Sequence, residues 1–99
     1  MFIRGGYNVY PAEIENLLSK QAAVSMCAVI GIPDEKYGQT GCAFILPAPG
    51  TAVDTAALAD LCRRSLAEYK VPDRFVVVDK LPLTPAGKIR KVALEPPKN

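Results

Sequence analysis

Two apolar runs near the middle of the chain do most to limit what it can fold into. Residues 24–32 (Val-Ser-Met-Cys-Ala-Val-Ile-Gly-Ile) are rich in β-branched and small apolar side chains and end at Pro33-Asp34, a turn signal. Residues 42–46 (Cys-Ala-Phe-Ile-Leu) follow Gly38-Gln39-Thr40-Gly41 and are closed by Pro47-Ala48-Pro49-Gly50. Both read as buried strands, paired as a hairpin with a long connection, which makes Cys27 and Cys42 core side chains. Helical patterns flank them. Pro11 suits the first turn of a helix, Glu13 and Glu15 lie near the positive end of its dipole, and Ile14, Leu17 and Leu18 form one apolar stripe. This predicts a helix over residues 11–20, with Glu13 and Glu15 assigned to its start rather than to chemistry. Asp54 is a candidate N-cap with Val53 as staple partner, and Leu58, Leu61, Cys62 and Leu66 follow at helical spacing, predicting a helix over residues 55–68 that Lys70-Val71-Pro72 ends. Residues 74–79 give a third strand, residues 81–87 an ordered turn, residues 89–94 a short strand or helix, and residues 95–99 a frayed tail. The expected architecture is α+β: a small single domain whose mixed sheet of at least three strands is packed by two to three helices.

Several function classes are excluded at this stage. Ninety-nine residues make one compact domain, small for an enzyme that must enclose several substrates. The apolar share of 49% is ordinary for a globular fold, and runs such as Val76-Val77-Val78 are too short to cross a bilayer. The first 20 residues lack the regions of a signal peptide, so the expected location is the cytoplasm. Cys27, Cys42 and Cys62 are widely spaced with apolar neighbours, as reduced core thiols are, and histidine is absent. A zinc site or a histidine-assisted nucleophile lacks its partners, and no metal site is expected. A net charge of +2 is too weak to argue for nucleic acid. Basic residues do gather late (Lys80, Lys88, Arg90, Lys91, Lys98), which suits either a solvated face or a phosphate site.

Two stretches carry chemistry. In Arg4-Gly5-Gly6-Tyr7-Asn8-Val9-Tyr10-Pro11, a glycine pair near a helix entrance either lets a backbone approach a ligand, where exposed N–H groups favour anions, or serves a turn that needs two glycines. In Leu81-Pro82-Leu83-Thr84-Pro85-Ala86-Gly87-Lys88, two prolines stiffen the approach and Gly87 bends the chain just before Lys88. The result is either a pre-organised ammonium suited to phosphate or an exposed turn with an incidental lysine. The segment does not match the Gly-x-x-x-x-Gly-Lys-Ser/Thr loop, so no amide cradle around ATP is encoded.

Taken together and in this order, the two stretches resemble the C-terminal domain of the adenylate-forming superfamily: acyl-CoA synthetases, peptide-synthetase adenylation domains and firefly luciferases. Glu68-Tyr69-Lys70-Val71-Pro72 followed by Phe75-Val76-Val77-Val78-Asp79 resembles the family's segment between them, as do Pro33-Asp34, Tyr37-Gly38 and Gln39. The resemblance covers residues 1–94. Gly5-Gly6-Tyr7-Asn8-Val9-Tyr10-Pro11 looks like the acyl- and aryl-CoA synthetase branch.

The resemblance implies a mobile lid of an acid–CoA ligase that acts with ATP, CoA and Mg²⁺ and is inactive alone. Lys88 matches the lysine that stabilises charge on the phosphates while a carboxylate, fatty or aromatic, attacks ATP. Gly5, Gly6 and Tyr7 correspond to the loop that serves the thioester step after the domain rotates. Asn8 stands where relatives place a polar group near the adenylate, and Arg4 is read as a partner for CoA or nucleotide phosphate. The expected partner is the large N-terminal domain, which this chain lacks along with the interdomain hinge, as in an excised domain or a truncated product. Two other readings stay open: an adenylation domain loading a carrier protein, and a stand-alone interaction module.

Overall fold

The computed structural model describes residues 1–96. A two-stranded hairpin, β1 (Phe2–Arg4) and β2 (Tyr7–Val9), leads into helix α1 (Pro11–Ser19). Strands β3 (Val24–Asp34), β4 (Gly38–Pro47) and β5 (Arg74–Val77) form a second sheet in the order β3-β4-β5, and helix α2 (Thr55–Ser65) lies between β4 and β5 in sequence. β3 and β4 are antiparallel, whereas β4 and β5 are parallel, so the sheet is mixed as the sequence predicts. Two short 3₁₀ turns, Glu68–Lys70 and Lys91–Ala93, complete the elements.

β4 explains why its sequence is apolar without alternation. Ala43 and Ile45 join a core with Phe2, Val9, Ile14, Leu18, Leu58 and Cys62, while Cys42 and Phe44 join a second core with Ile32 and Leu81. Alternate side chains point to opposite faces of a strand, so β4 is buried on both. The hairpin and the two helices cover one face, called here the helical face; the chain from Leu81 to Leu94 covers the other. A bulge between Val24 and Met26 shifts the register, which puts Val24 on the helical face although Met26 and Ile30 pack on the other.

Four boundaries differ from the sequence reading. The β3–β4 connection is short, because pairing runs on to Asp34↔Gly38. Asp34 itself builds the turn, its Oδ2 accepting the N–H groups of Lys36 at 3.0 Å and Tyr37 at 2.8 Å, and Pro33 is tolerated because β3 is an edge strand. Helix α2 stops at Ser65, and Leu66 is extended; from there Leu66, Tyr69 and Val71 pack against the helical-face core. β5 ends at Val77, although the Val78 N–H still donates to Ile45 O at 2.9 Å. Residues 89–94, read as a short strand or helix, contain one isolated bridge at Ile89 and the 3₁₀ turn Lys91–Ala93.

Other local choices follow the sequence. Asp54 caps α2, its carboxylate accepting from the N–H groups of Ala56 and Ala57 at 3.0 and 3.2 Å. Cys42 and Cys62 are buried and Cys27 half-buried, all three as free thiols. Of the tail expected at 95–99, Glu95 and Pro96 lie outside helix and strand, and residues 97–99 lie outside the described residues. Among the described residues no helix is long and apolar enough to cross a membrane.

Candidate functional site

The first ten residues, read from sequence without strands, form a hairpin that presents the glycine pair at its tip. Arg4 pairs with Tyr7, which leaves Gly5 and Gly6 as a two-residue turn with φ of 57° and 88°. A tight hairpin turn with positive φ at both central residues strongly favours glycine. The pair therefore serves a turn, one strand before the helix entrance. Phe2 seats the hairpin on the sheet. Its ring lies over Gly31 and Gly41, which face each other across β3 and β4, and a Cβ on Gly31 would stand 2.6 Å from Phe2 Cβ and Cγ.

Side chains around this tip form a cleft of about 350 Å³ lined by Arg4, Gly5, Tyr7, Tyr37, Glu68 and Tyr69. Tyr7 stacks on Tyr69 with ring centres 4.6 Å apart and planes inclined by 21°, yet stays 59% exposed. The Arg4 guanidinium lies 3.9 Å from the centre of the Tyr37 ring and its Nη2 is 3.4 Å from Asp73 Oδ1. Arg4 Nε is buried and makes no hydrogen bond. The Gly5 N–H donates to Tyr37 O at 2.9 Å, so the turn is tied to the β3–β4 connection. Asn8 is exposed on β2 opposite Ile3. Tyr37, Tyr69 and Asp73 line or brace this site without having been singled out from sequence as functional. Tyr37 and Tyr69 lie in segments that carry the family resemblance, but nothing in their spacing shows that these segments and Asp73 meet at one place.

Lys88 closes a second hairpin-like turn. Leu83 and Ile89 bridge in antiparallel fashion, the Gly87 N–H donates to Thr84 O at 2.8 Å and the Thr84 N–H to Lys88 O at 2.7 Å. Thr84 Oγ1 accepts the Lys88 N–H at 3.1 Å. Pro85 fixes the first bend and Gly87, with φ of 83°, completes it. Lys88 is exposed, and among the described residues its ammonium makes no hydrogen bond or ion pair. The two motifs are not brought together. The hairpin is anchored in the helical-face core through Phe2 and Val9, and the Lys88 turn packs through Leu81 and Ile89 against the opposite face.

Both helix-start glutamates have partners elsewhere. Glu13 pairs with Lys70 at 3.0 Å, and that bond holds the Lys70 ammonium above its ordinary pKa. Glu15 reaches β3 and Lys91, a departure from the expected role at the helix start: its Oε2 accepts the Val29 N–H at 2.9 Å and lies 2.7 Å from Lys91 Nζ. Among the described residues there is no cluster of three acidic, cysteine or histidine groups that could hold a metal ion.

Residues 13–88 match the AMP-binding enzyme C-terminal domain. Over 94 residues, or 95% of its length, the chain is 44% identical to 3-[(3aS,4S,7aS)-7a-methyl-1,5-dioxo-octahydro-1H-inden-4-yl]propanoyl:CoA ligase of Rhodococcus jostii (strain RHA1), spanning 18% of that protein. It is 47% identical over 91 residues, 92% of the chain, to feruloyl-CoA synthase of Amycolatopsis sp, again spanning 18% of the relative. The solved structure of o-succinylbenzoate CoA synthetase from Bacillus subtilis, in complex with its acyl-adenylate intermediate, superposes with a TM-score of 0.88 at 35% identity, covering 97% of this chain and 19% of that one. The chain thus spans about a fifth of the length of each of these relatives.

Proposed function

The chain belongs to the AMP-binding enzyme C-terminal domain family, and from that membership we propose that it is the mobile C-terminal domain of an ATP-dependent acid–CoA ligase. The domain is residues 1–94, and its partner is a large N-terminal domain that holds ATP and a carboxylic acid. The observation that carries the reading is the placement of the two motifs on opposite faces of one sheet. A rigid body of this kind can offer one loop, then the other, to a single reaction centre by turning as a whole.

The exposed Lys88 ammonium, without an ion pair among the described residues, fits the first half-reaction. When bound, ATP supplies an α-phosphate open to attack by the acid and a pyrophosphate leaving group. Lys88 then contributes a positive charge where negative charge grows on the phosphate oxygens. The Pro85–Gly87 turn, closed by hydrogen bonds to Thr84, holds that charge in place so that little reorganisation accompanies reaction. Mg²⁺ is assigned to ATP and the large domain, since no acidic cluster among the described residues suits it.

The hairpin fits the second half-reaction. Gly5 and Gly6 carry no side chains at the tip, which leaves room for the slender thiol-bearing arm of CoA to pass. Tyr7, stacked on Tyr69, gives the cleft an aromatic wall, Asn8 offers an amide toward the adenylate, and Arg4 supplies positive charge beneath the turn while bracing it on Tyr37 and Asp73. Alone, the chain catalyses neither step, because Lys88 has no phosphate to act on.

The test is Lys88→Ala in the full-length ligase. Pyrophosphate release should fall by about 10²–10³-fold, as for loss of one electrostatic donor, while CoA transfer from supplied acyl-adenylate changes little. Equal loss in both steps would defeat the assignment.

A further inference from the structure

We infer that Glu15 and Lys91 form a strut that sets the position of Lys88, making them positioning residues for adenylation; this rests on the function proposed above. Lys91 lies three residues beyond Lys88 and opens the 3₁₀ turn Lys91–Ala93. Its ammonium is 2.7 Å from Glu15 Oε2, and the same oxygen accepts the Val29 N–H at 2.9 Å. Val29 belongs to β3, an edge strand, so this N–H faces away from β4. One carboxylate oxygen therefore satisfies the sheet edge and grips the segment that carries Lys88.

The layers joined by this contact are different ones. Glu15 is on α1, over the helical face, whereas Ile89 and Leu94 cover the opposite face on either side of Lys91. The ion pair passes around the β3 edge between them. Among the described residues the other polar ties of the Lys88 turn are internal to its own segment: Thr84 with Gly87 and Lys88, and the Arg90 N–H with Pro82 O at 2.9 Å. Those bonds stiffen the turn without fixing its direction relative to the sheet. Leu81 and Ile89 attach it by apolar contact, which is non-directional. The charge-assisted bond to Glu15 supplies the direction.

Side-chain exposures of 22% for Glu15 and 41% for Lys91 make this pair a small contributor to stability. Its effect belongs in geometry, where a displacement of about 1 Å at a reacting group can cost up to about a hundredfold in rate. Glu15→Gln keeps an oxygen for the Val29 N–H and removes only the charge. Lys91→Met removes the other half, and Lys91→Arg retains it.

In the full-length ligase, pyrophosphate release should slow about tenfold in Glu15→Gln and in Lys91→Met, and no further in the double variant, as for two residues acting as one unit. Lys91→Arg should stay within about twofold of wild type, and CoA transfer from supplied acyl-adenylate should change less than about twofold in all four. Losses that add in the double variant, equal slowing of both half-reactions, or no slowing at all would overturn the strut. A variant that merely unfolds the domain slows both steps and so counts against it. Lys88→Ala run alongside separates the two ideas. If it slows adenylation and the strut variants do not, only the strut fails; if it does not, the proposed function fails.

Discussion

Replacing Gly31 with alanine should loosen the glycine hairpin through one contact. The new Cβ would lie 2.6 Å from Phe2 Cβ and Cγ, whereas carbon atoms rest about 3.5 Å or more apart, so roughly 0.9 Å of relief is needed. The obstructing atoms are the stem of Phe2, not a flexible tip, so β1 has to move. β1 is bonded to β2 through Phe2↔Val9, and the Gly5 N–H is tied to Tyr37 O, so the hairpin lifts as a unit and uncovers Phe2, now 5% exposed. Overpacking of this kind costs about 1–3 kcal/mol, and partial re-exposure of a phenylalanine moves the sum toward the upper end. With a urea slope of about 1 kcal/mol per molar for a chain of this size, the unfolding midpoint should fall by about 2–3 M. Far-ultraviolet circular dichroism follows the transition directly. Gly41→Ala is the internal comparison: its Cβ would meet Pro72 Cα at 3.2 Å and Phe2 Cζ at 3.3 Å, so a few tenths of an ångström suffice and the cost should be about 1 kcal/mol or less. In a Phe2→Gly background, which removes both the Cβ and the ring, the Gly31 substitution should become nearly neutral. The reasoning is refuted if Gly31→Ala is no costlier than Gly41→Ala, or keeps its full cost in the Phe2→Gly background.

Asp54→Ala removes the acceptor for two N–H groups at the start of α2 and should cost about 1 kcal/mol, lowering the melting temperature by several degrees; an unchanged melt would show that solvent replaces the cap fully. Cys27 is pushed up from 9.0 to about 11, chiefly by burial and then by the Glu15 carboxylate, with Lys91 opposing. At pH 8 its thiolate fraction, and so its alkylation by iodoacetamide, should be about a hundredfold below that of a free thiol, and mass spectrometry should place the rise near pH 11; a rise near pH 9 would contradict the burial. Because the folded value lies above the unfolded one, this thiol's contribution to stability is present in full below pH 9 and is lost as pH climbs from 9 to 11.

Much of the sheet was legible because its signal is local. The apolar runs, the Pro11 start of α1 and the Asp54 cap each depend on a few adjacent residues; α1 and α2 begin where expected and β3 ends two residues late, while β4 begins four residues before its apolar run because pairing carries on through Gly38–Gly41. The hairpin at the start of the chain was not. Its strands are three residues each, too short for alternation to register, and its anchor is a contact between Phe2 and two glycines far along the chain. The short β3–β4 turn was obscured by Pro33, a residue that breaks central strands but is harmless on an edge. Glu15 looked like a residue favouring the helix dipole because its real partners, Val29 and Lys91, are 14 and 76 positions away. Lys88 was legible as a candidate since proline, glycine and lysine specify the turn within one segment. That its ammonium makes no ion pair among the described residues became visible only with the fold.

If the domain serves two reactions as proposed, a sheet covered on both faces limits how it can do so. Packed layers sit about 10 Å apart, so the hairpin layer and the Lys88 layer are separated by roughly 20 Å across the sheet. Flexing cannot bring them to one point, because close-packed interiors resist deformation on that scale. On the reading proposed here, the swing must occur outside the domain, and both loops must keep their positions relative to its body while it turns. The hairpin meets that demand through Phe2 and the Gly5–Tyr37 bond. The Lys88 turn, attached by apolar side chains and lying beyond the last strand, would be the looser of the two without a directional tie. A charge contact around the β3 edge provides that tie where the sheet is thinnest in partners, and it does so from the helix into which the hairpin runs, so that the two loops share one frame.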